Sequence, residues 1–142
     1  MKTYITKNSE ETEKLGRSLA RSIKPPAIIA LESDLGGGKT TLVKGLAKGL
    51  GIKENVVSPT FVLERIYRIP KRPYSLYHYD LYRIKPDDIL VDEILENAKD
   101  NVVAIEWAEK IAKKLPKIAI RVRIYSLREQ DKRKIAIKGP TG

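Results

Sequence analysis

The first hydrophobic pattern along the chain is that of an amphipathic helix. Leu15, Leu19 and Ile23 recur every four residues, so one face of a helix would be apolar and the other charged. Asn8 or Ser9 is placed to cap the helix, and acidic residues follow in its first turn. Two consecutive prolines then predict where the helix ends.

A strand, a glycine-rich loop and a second helix are predicted next. Residues 27–31 form a short apolar run between prolines and glycines, which is typical of a parallel strand buried on both faces. From about Lys39 the pattern again predicts a helix, with Gly51 as its end and leucines on one face at positions 42, 46 and 50.

The rest of the chain alternates between strand and helix patterns. Strands are predicted within 61–69, 74–82, 102–106, 117–125 and 134–138, and helices within 85–98 and 107–115. This order predicts an α/β fold in one domain, residues 1–142: a mostly parallel sheet with helices on both faces and a C-terminal antiparallel hairpin at its edge.

Composition narrows the chemistry. The 142 residues include no cysteine and one histidine, which excludes disulfides, thiol catalysis and cysteine-ligated zinc. The apolar runs are strand-sized and none resembles a signal peptide, so we expect a soluble protein of the cytoplasm. The net charge of +10 favours anionic partners such as nucleotides or RNA. A highly charged surface that only keeps the protein in solution would give the same composition.

The loop "SDLGGGKTT" between the apolar strand and the helix is typical of a phosphate-binding loop. Gly38, Lys39 and Thr40 fill the last three positions of the pattern G-x-x-x-x-G-K-[ST], while Ser33 stands where the first glycine belongs. Free backbone N–H groups and the positive end of the helix would bind an anion there, and the lysine would reach the terminal phosphates. The sequence therefore predicts a nucleotide site.

Two acids follow strands predicted to lie in the same sheet. Glu106 ends the run "VVAIE" and Asp80 follows "YSLYHY", so both carboxylates are expected at the carboxyl edge of the sheet beside the loop. Thr60 in "SPT" is a candidate contact to Mg²⁺ or the γ-phosphate, with an ordinary proline turn as the alternative. For His78 and Trp107 the sequence favours structural positions over catalysis.

Five motifs in order resemble one family, TsaE, an ATPase needed for threonylcarbamoyladenosine (t6A) in bacterial tRNA. The motifs are "TEKLG" (12–16), "SDLGGGKTT" (33–41), "SPTF" (58–61), "HYDLYR" (78–83) and "IEW" (105–107). Ser33, Gly37 and Ala108 depart from the residues common in the family. The resemblance implies the P-loop NTPase fold, ATP and Mg²⁺ as ligands, and slow hydrolysis that partners stimulate.

The resemblance also implies roles for individual residues. ATP would contact Leu35, Gly36, Gly37, Gly38, Lys39, Thr40, Thr41 and Thr60, with Ser9 and Arg133 near the base. Mg²⁺ would be held by Thr40, Glu106 and Asp80, and the catalytic set would be Asp80, Glu106 and Lys39. How the two acids divide the metal-binding and water-orienting roles stays open.

The implied partners are the threonylcarbamoyl transferase subunit TsaD and its paralogue TsaB, with tRNA reached through that complex. Two other functions are compatible with the sequence. A small-molecule kinase would share the loop, but the chain between Asp80 and Glu106 has little room for an acceptor pocket or lid. A basic RNA-binding module is suggested by the net charge and by Arg121 and Arg123, although the aromatic residues form no recognisable stacking platform.

Overall fold

The computed structural model describes residues 1–33, 39–57, 63–129 and 131–139. The helices in these ranges are α1 (Ser9–Leu19), α2 (Lys39–Gly49) and α3 (Asp88–Asp100), with 3₁₀ helices at Ala20–Ser22 and Ala108–Lys114. The strands are β1 (Lys2–Thr6), β2 (Ala27–Ser33), β3 (Glu64–Arg68), β4 (Ser75–Asp80), β5 (Val102–Glu106), β6 (Ile120–Ser126) and β7 (Arg133–Lys138). The predictions for Leu35, Gly36, Gly37, Gly38 and Thr60 lie outside the described residues.

The seven strands form one sheet in the order β1-β7-β6-β2-β5-β4-β3. The α/β class and the helices on both faces are confirmed, but the prediction of a mostly parallel sheet is wrong. Strands β6, β2, β5 and β4 are parallel neighbours, whereas β1–β7, β7–β6 and β4–β3 pair antiparallel. The sheet is mixed because short turns after β3 and β6 return the chain directly alongside, and only a longer crossover could keep the strands parallel.

Strand β1 was not predicted, and it takes the edge position that the hairpin was expected to hold. It pairs with β7 from Lys2 opposite Ile137 to Thr6 opposite Arg133. All its side chains except that of Thr6 are exposed. An edge strand with one buried side chain shows little alternation between apolar and polar positions, so its sequence carries a weak strand signal.

Helix α1 begins with a reciprocal capping arrangement that settles the choice between Asn8 and Ser9. The Asn8 side chain accepts a hydrogen bond from the backbone N–H of Glu11 at 2.9 Å. The Glu11 carboxylate in turn accepts one from the backbone N–H of Lys7 at 2.8 Å. Asn8 is therefore the N-cap, and Ser9 is the first helical residue.

The hydrophobic core has two parts, one on each face of the sheet. Ile29 and Leu31 of β2 face the cluster that includes Leu42 and Leu46 of α2. The alternate residues of β2, Ile28 and Ala30, face the cluster built on α3 and the second 3₁₀ helix, which includes Val91, Ile94 and Ile111. A strand whose successive side chains enter opposite clusters is buried on both faces, as its unbroken apolar run predicts.

Helix α1 lies unusually close to α2 because glycines form the contact. A Cβ atom at Gly16 would overlap the Leu42 carbonyl, and one at Gly45 would overlap the Glu13 carbonyl. Only hydrogen fits between the two backbones at these positions. The glycine that closes the motif "TEKLG" thus fixes α1 against the helix that begins at Lys39.

The register of the parallel strands brings their carboxyl ends to one edge of the sheet. Glu106 at the end of β5 lies opposite Leu31 of β2 on one side and Asp80 of β4 on the other. Helix α2 begins at this same edge, at Lys39. In the part of the chain that the structure describes, no helix is both long enough and apolar enough to cross a membrane.

Candidate functional site

Four side chains meet where α2 begins and β4 and β5 end, and we call Lys39, Thr40, His78 and Glu106 the carboxyl-edge cluster. Lys39 and Thr40 open α2, while Glu106 is the last residue of β5. Lys39, His78 and Glu106 are buried, at 6%, 0% and 3% exposure. Buried polar and charged groups are costly unless each has a partner, so their contacts define the site.

Thr40 and Glu106 face each other across the space between α2 and the sheet. The Thr40 hydroxyl lies 3.3 Å from Oε1 of Glu106 and 3.2 Å from Oε2, and donates its hydrogen to the carboxylate. Sequence reasoning expected these two residues to act together, and the structure brings them into contact. The two residues are 66 positions apart in the sequence. They come together because β5 pairs with β2, the strand that precedes α2.

His78 is the functional candidate that sequence reasoning placed outside the chemistry. Its Nε2 lies 2.5 Å from Oε2 of Glu106, and the ring is fully buried. Its Nδ1 makes no hydrogen bond with any described residue. Along β4 the residues Leu76, His78 and Asp80 share one face of the sheet, and only the pairing with β5 places Glu106 on that face too.

The Lys39 ammonium has two described contacts. Its Nζ donates a hydrogen bond to the backbone carbonyl of Ser33 at 3.4 Å. It also lies 4.0 Å from the centroid of the Trp107 ring, which is the geometry of a cation–π interaction. The prediction that Trp107 has a structural position therefore gains a detail, because its ring forms one wall around the lysine.

Trp107 is held in this position by its own backbone and by the loop after β4. Its φ of 62° puts it in the left-handed region, so the chain turns sharply between β5 and the 3₁₀ helix. Its ring packs on that of Tyr82, with centroids 4.9 Å apart. Lys110 then fastens the loop, because its Nζ donates to the carbonyls of Tyr82 at 2.7 Å and Ile84 at 2.9 Å.

Asp80 lies beside the cluster, opposite Glu106 in the pairing of β4 with β5. Its Oδ1 accepts a hydrogen bond from the backbone N–H of Tyr82 at 2.9 Å. This contact shapes the turn that leaves the strand. Asp80 is partly exposed, whereas Glu106 is buried.

The remaining predicted residues lie outside the cluster. Thr41 is partly exposed on α2, and Ser9 is the exposed first residue of α1. Arg133 begins β7 opposite Thr6, at the same end of the sheet as Ser33, and donates to the Lys132 carbonyl at 3.0 Å. Three strand spacings separate β1 from β2, or about 14 Å. The predicted base-side contacts Ser9 and Arg133 stay predictions.

The donor atoms of the cluster fit a hard cation. Mg²⁺ is bound in proteins by one or two carboxylates together with hydroxyl, water and phosphate oxygens. Thr40 and Glu106 present oxygens of this kind to each other. Among the residues that the structure describes, no group of three His, Asp or Glu side chains could hold a metal ion alone. The chemistry of the donor set therefore suits a magnesium ion that arrives with a phosphate ligand.

Known proteins are similar to this chain in sequence and in fold. Residues 6–135 match the model of the family described as "Threonylcarbamoyl adenosine biosynthesis protein TsaE". A tRNA threonylcarbamoyladenosine biosynthesis protein TsaE from Rickettsia felis is 40% identical over 88% of this chain and 73% of its own length. The Bacillus subtilis protein of that name is 39% identical over 85% and 75%.

A solved structure extends the likeness to the fold. The crystal structure of Bacillus subtilis YdiB superposes with a TM-score of 0.77 and 32% identity, covering 98% of this chain and 85% of that one. The sequence match runs from the end of β1 into β7, so it includes every element that contributes to the carboxyl-edge cluster. The chain therefore belongs to the TsaE family of threonylcarbamoyl adenosine biosynthesis proteins.

Proposed function

We propose that this protein binds and hydrolyses ATP with Mg²⁺ in the biosynthesis of threonylcarbamoyladenosine in tRNA. The description of the family names threonylcarbamoyl adenosine biosynthesis, and the names of the relatives add that the modification is made in tRNA. The ATPase activity is supported by the site itself. One observation carries the proposal: Lys39 and Thr40 begin a helix directly after a buried strand and the glycine loop, and Thr40 meets the buried carboxylate of Glu106.

In this mechanism α2 and Lys39 hold the phosphates. The first N–H groups of a helix are unpaired and its N-terminus carries a partial positive charge, so a phosphate is favoured there. The Lys39 ammonium adds a full charge from a buried position. Its contact with Trp107 keeps it beside the helix start until phosphate oxygens replace the ring as its partner.

Thr40 and Glu106 would hold the magnesium ion, directly or through water. Bound Mg²⁺ would offset the negative charge that develops on the terminal phosphates. Glu106 is kept in place by His78, because a hydrogen bond of 2.5 Å from a fully buried ring fixes one carboxylate oxygen. His78 is thus a positioning residue that acts through Glu106.

Asp80 is proposed to orient the attacking water. It lies next to Glu106 in the sheet and is partly exposed, so water reaches Asp80 more easily than it reaches the buried Glu106. The Tyr82 N–H fixes the carboxylate through its Oδ1. Removing a group that only orients water should lower turnover while leaving nucleotide binding in place.

The transferase subunit TsaD and its paralogue TsaB are the proposed partners, in the cytoplasm. ATP hydrolysis would reset the transferase between rounds of modification, with the modification chemistry belonging to the transferase. In the absence of these partners we expect slow hydrolysis. A complex that sensed the γ-phosphate would use segments near it, such as the strand β4. The sequence also suggests 58–60 for this role, and that segment lies outside the described residues.

The test is phosphate release from ATP with Mg²⁺, measured for the protein alone and with both transferase subunits. We expect a slow basal rate that the partners raise, and loss of both rates in Lys39→Ala and Glu106→Ala. Matched controls are Lys48→Ala, an exposed lysine of the same helix, and Glu109→Ala, an exposed acid just beyond β5. Both controls should keep the wild-type rates.

Two results would overturn the proposal. Unchanged hydrolysis in Lys39→Ala and Glu106→Ala would remove the cluster from the chemistry. Transfer of the phosphate from ATP to a small acceptor, without stimulation by the transferase subunits, would assign the site to a kinase.

A further inference from the structure

A second charged region lies outside the carboxyl-edge cluster, on the side of the sheet that carries α3. Its exposed cations lie on β6 and β7 and in the turn before β6, and we call them the basic face: Lys117, Arg121, Arg123, Lys134 and Lys138. Along β6 the side chains of Arg121, Arg123 and Tyr125 alternate with Val122 and Ile124, which are buried on the opposite side. The helices on this side pack mainly on β2 and β5, and the five cations of β6, β7 and the preceding turn remain exposed.

Three of these cations surround a small cavity at the amino end of β6. The cavity has a volume of about 180 Å³, and Lys117, Arg121 and Lys138 line it together with Leu115 and Pro116. None of its described lining residues is acidic. Arg121 donates to the Ala112 carbonyl at 3.1 Å, which fixes its guanidinium beside the cavity. This arrangement offers converging positive charge and no negative charge of its own.

The pairing of β6 with β7 places two positive charges of the basic face opposite each other, where they repel. Arg121 lies directly opposite Lys138 in the register of β6 with β7. Like charges in directly opposed positions destabilise a sheet unless an anion lies between them. Of the five cations, Arg123 has an acidic partner, Glu32, at 2.7 Å. The other four have no ion pair with a described residue, so the face carries uncompensated charge.

We propose that the basic face binds the phosphodiester backbone of RNA, with a phosphate seated among Lys117, Arg121 and Lys138. Repeated exposed cations along two strands match a chain of repeated negative charges better than they match one small anion. Tyr125 is 41% exposed at the other end of the row, with the Lys134 ammonium 5.6 Å from its ring centroid. An exposed aromatic ring beside cations can stack on an unpaired base.

A second cleft shows why charge alone does not select this region. It is larger, at about 690 Å³, and it also contains Arg17, Lys44 and Lys53. There Glu13 and Glu54 are interleaved with the cations, so much of the field cancels. On the basic face, Glu32 and Glu109 lie at the Arg123 end, whereas the cavity among Lys117, Arg121 and Lys138 has no acidic residue in its described lining. Naming tRNA as the RNA rests on the proposed function, whereas the phosphate-binding chemistry of the face does not.

The experiment measures binding of an unmodified tRNA transcript to the intact protein by fluorescence anisotropy across a salt series. The test variant combines Lys117→Gln, Arg121→Gln and Lys138→Gln. The control combines Arg17→Gln, Lys44→Gln and Lys53→Gln, which removes the same net charge with the same residue types. We expect the test variant to weaken binding at least about tenfold at low salt and to reduce the salt slope by about two to three, while the control changes both far less.

A second variant, Lys117→Gln with Lys138→Gln, keeps the Arg121 contact to the 3₁₀ helix and should show a smaller loss of the same kind. ATP hydrolysis is measured on every variant. Since none of these residues belongs to the carboxyl-edge cluster, the rates should stay at the wild-type level. If the wild-type protein did not hydrolyse ATP, the proposed ATPase activity would be wrong. If the wild-type protein did not bind tRNA, the present inference would be wrong. The two failures are therefore distinguishable.

Three outcomes would overturn the inference. The first is absence of tRNA binding by the wild-type protein, and the second is equal weakening by the test and control variants, which would reduce the effect to net charge. The third is binding of a different anion. Displacement of tRNA by millimolar inorganic phosphate would identify a free-phosphate site. Equal affinity for polyglutamate of matched charge would identify an acidic protein as the partner.

Discussion

Positive charge occurs in two contrasting settings in this molecule. In the carboxyl-edge cluster a single lysine, Lys39, is 6% exposed and touches a backbone carbonyl and a tryptophan ring. On the basic face Lys117 and Lys138 extend into solvent with no ion pair among the described residues. Burying an ionised group costs several kcal/mol unless partners offset the lost hydration. Exposed charges keep their hydration and cost little free energy, so one surface can carry several of them.

This difference separates two kinds of function. A buried charge held by defined contacts acts on one atom of one ligand, with large effects when a contact is removed. Exposed charges act together on an extended partner, and each contributes a small part. The following predictions test that contrast, beginning with the group whose loss should matter most.

The largest effect is expected for Glu106→Gln. The amide matches the carboxylate in shape and can still bond to Thr40 and His78, but it removes the charge that would hold Mg²⁺. ATP hydrolysis should fall at least about 100-fold, equivalent to roughly 3 kcal/mol of the barrier. The measurement is phosphate release at saturating Mg²⁺, with Glu109→Gln as control. A variant that kept the wild-type rate would remove Glu106 from the chemistry.

The next effect concerns stability without nucleotide. In His78→Leu the buried Glu106 carboxylate loses its closest partner, so the free energy of unfolding should fall by about 2–3 kcal/mol. The double variant His78→Leu with Glu106→Leu removes both polar groups and should recover much of the loss. Urea unfolding curves measure both. A double variant that is less stable than the single one would show that packing around the ring, rather than the orphaned carboxylate, causes the loss.

A smaller effect is expected where Lys39 meets Trp107, the one tryptophan of the sequence. ATP should draw the ammonium away from the ring and change the tryptophan emission. Lys39→Met should produce a change of the same sign without ATP, at a cost in stability of about 1 kcal/mol. Intrinsic fluorescence provides the measurement, and Lys48→Met serves as control. If the emission of Lys39→Met equals that of the wild-type protein without ATP, the cation–π contact is absent in solution.

The smallest effect is expected on the basic face, from Arg123→Gln. The Arg123 guanidinium bonds to Glu32, and this hydrogen bond raises the pKa of Arg123. Because the arginine side chain is 60% exposed, the pair should contribute about 0.5 kcal/mol or less to stability, and less still in high salt. Thermal unfolding at two salt concentrations checks this. A loss above about 1.5 kcal/mol would contradict the claim that exposed charge costs little here.

Much of the site could be predicted because its signals are local in the sequence. The glycine loop between a strand and a helix predicted a helix start at Lys39, and α2 begins there. The run ending at Glu106 predicted a buried strand with a terminal acid, and β5 has these bounds. Thr40 and Glu106 were expected to act together because carboxyl ends of parallel strands share an edge.

Other features could not be predicted because they depend on pairing between distant segments. Five mostly exposed residues do not reveal that β1 extends the sheet beyond β7. The alternation of β4 does not say that the strand beside it ends in Glu106, so His78 read as an ordinary packed residue. The approach of α1 to α2 was also hidden, because a glycine's role in packing is set by the opposing backbone.

The sequence by itself determined the order of the strands and helices after β1, the strand–loop–helix unit at Lys39 and the family of the chain, because each follows from periodicity or from short ordered motifs. Only the tertiary structure decided that the sheet is mixed, that His78 holds Glu106, and that Lys117, Arg121 and Lys138 surround one cavity. The physical reason is register. Side-chain direction alternates along every strand, so neighbours across a sheet are fixed only when the pairing of the strands is fixed.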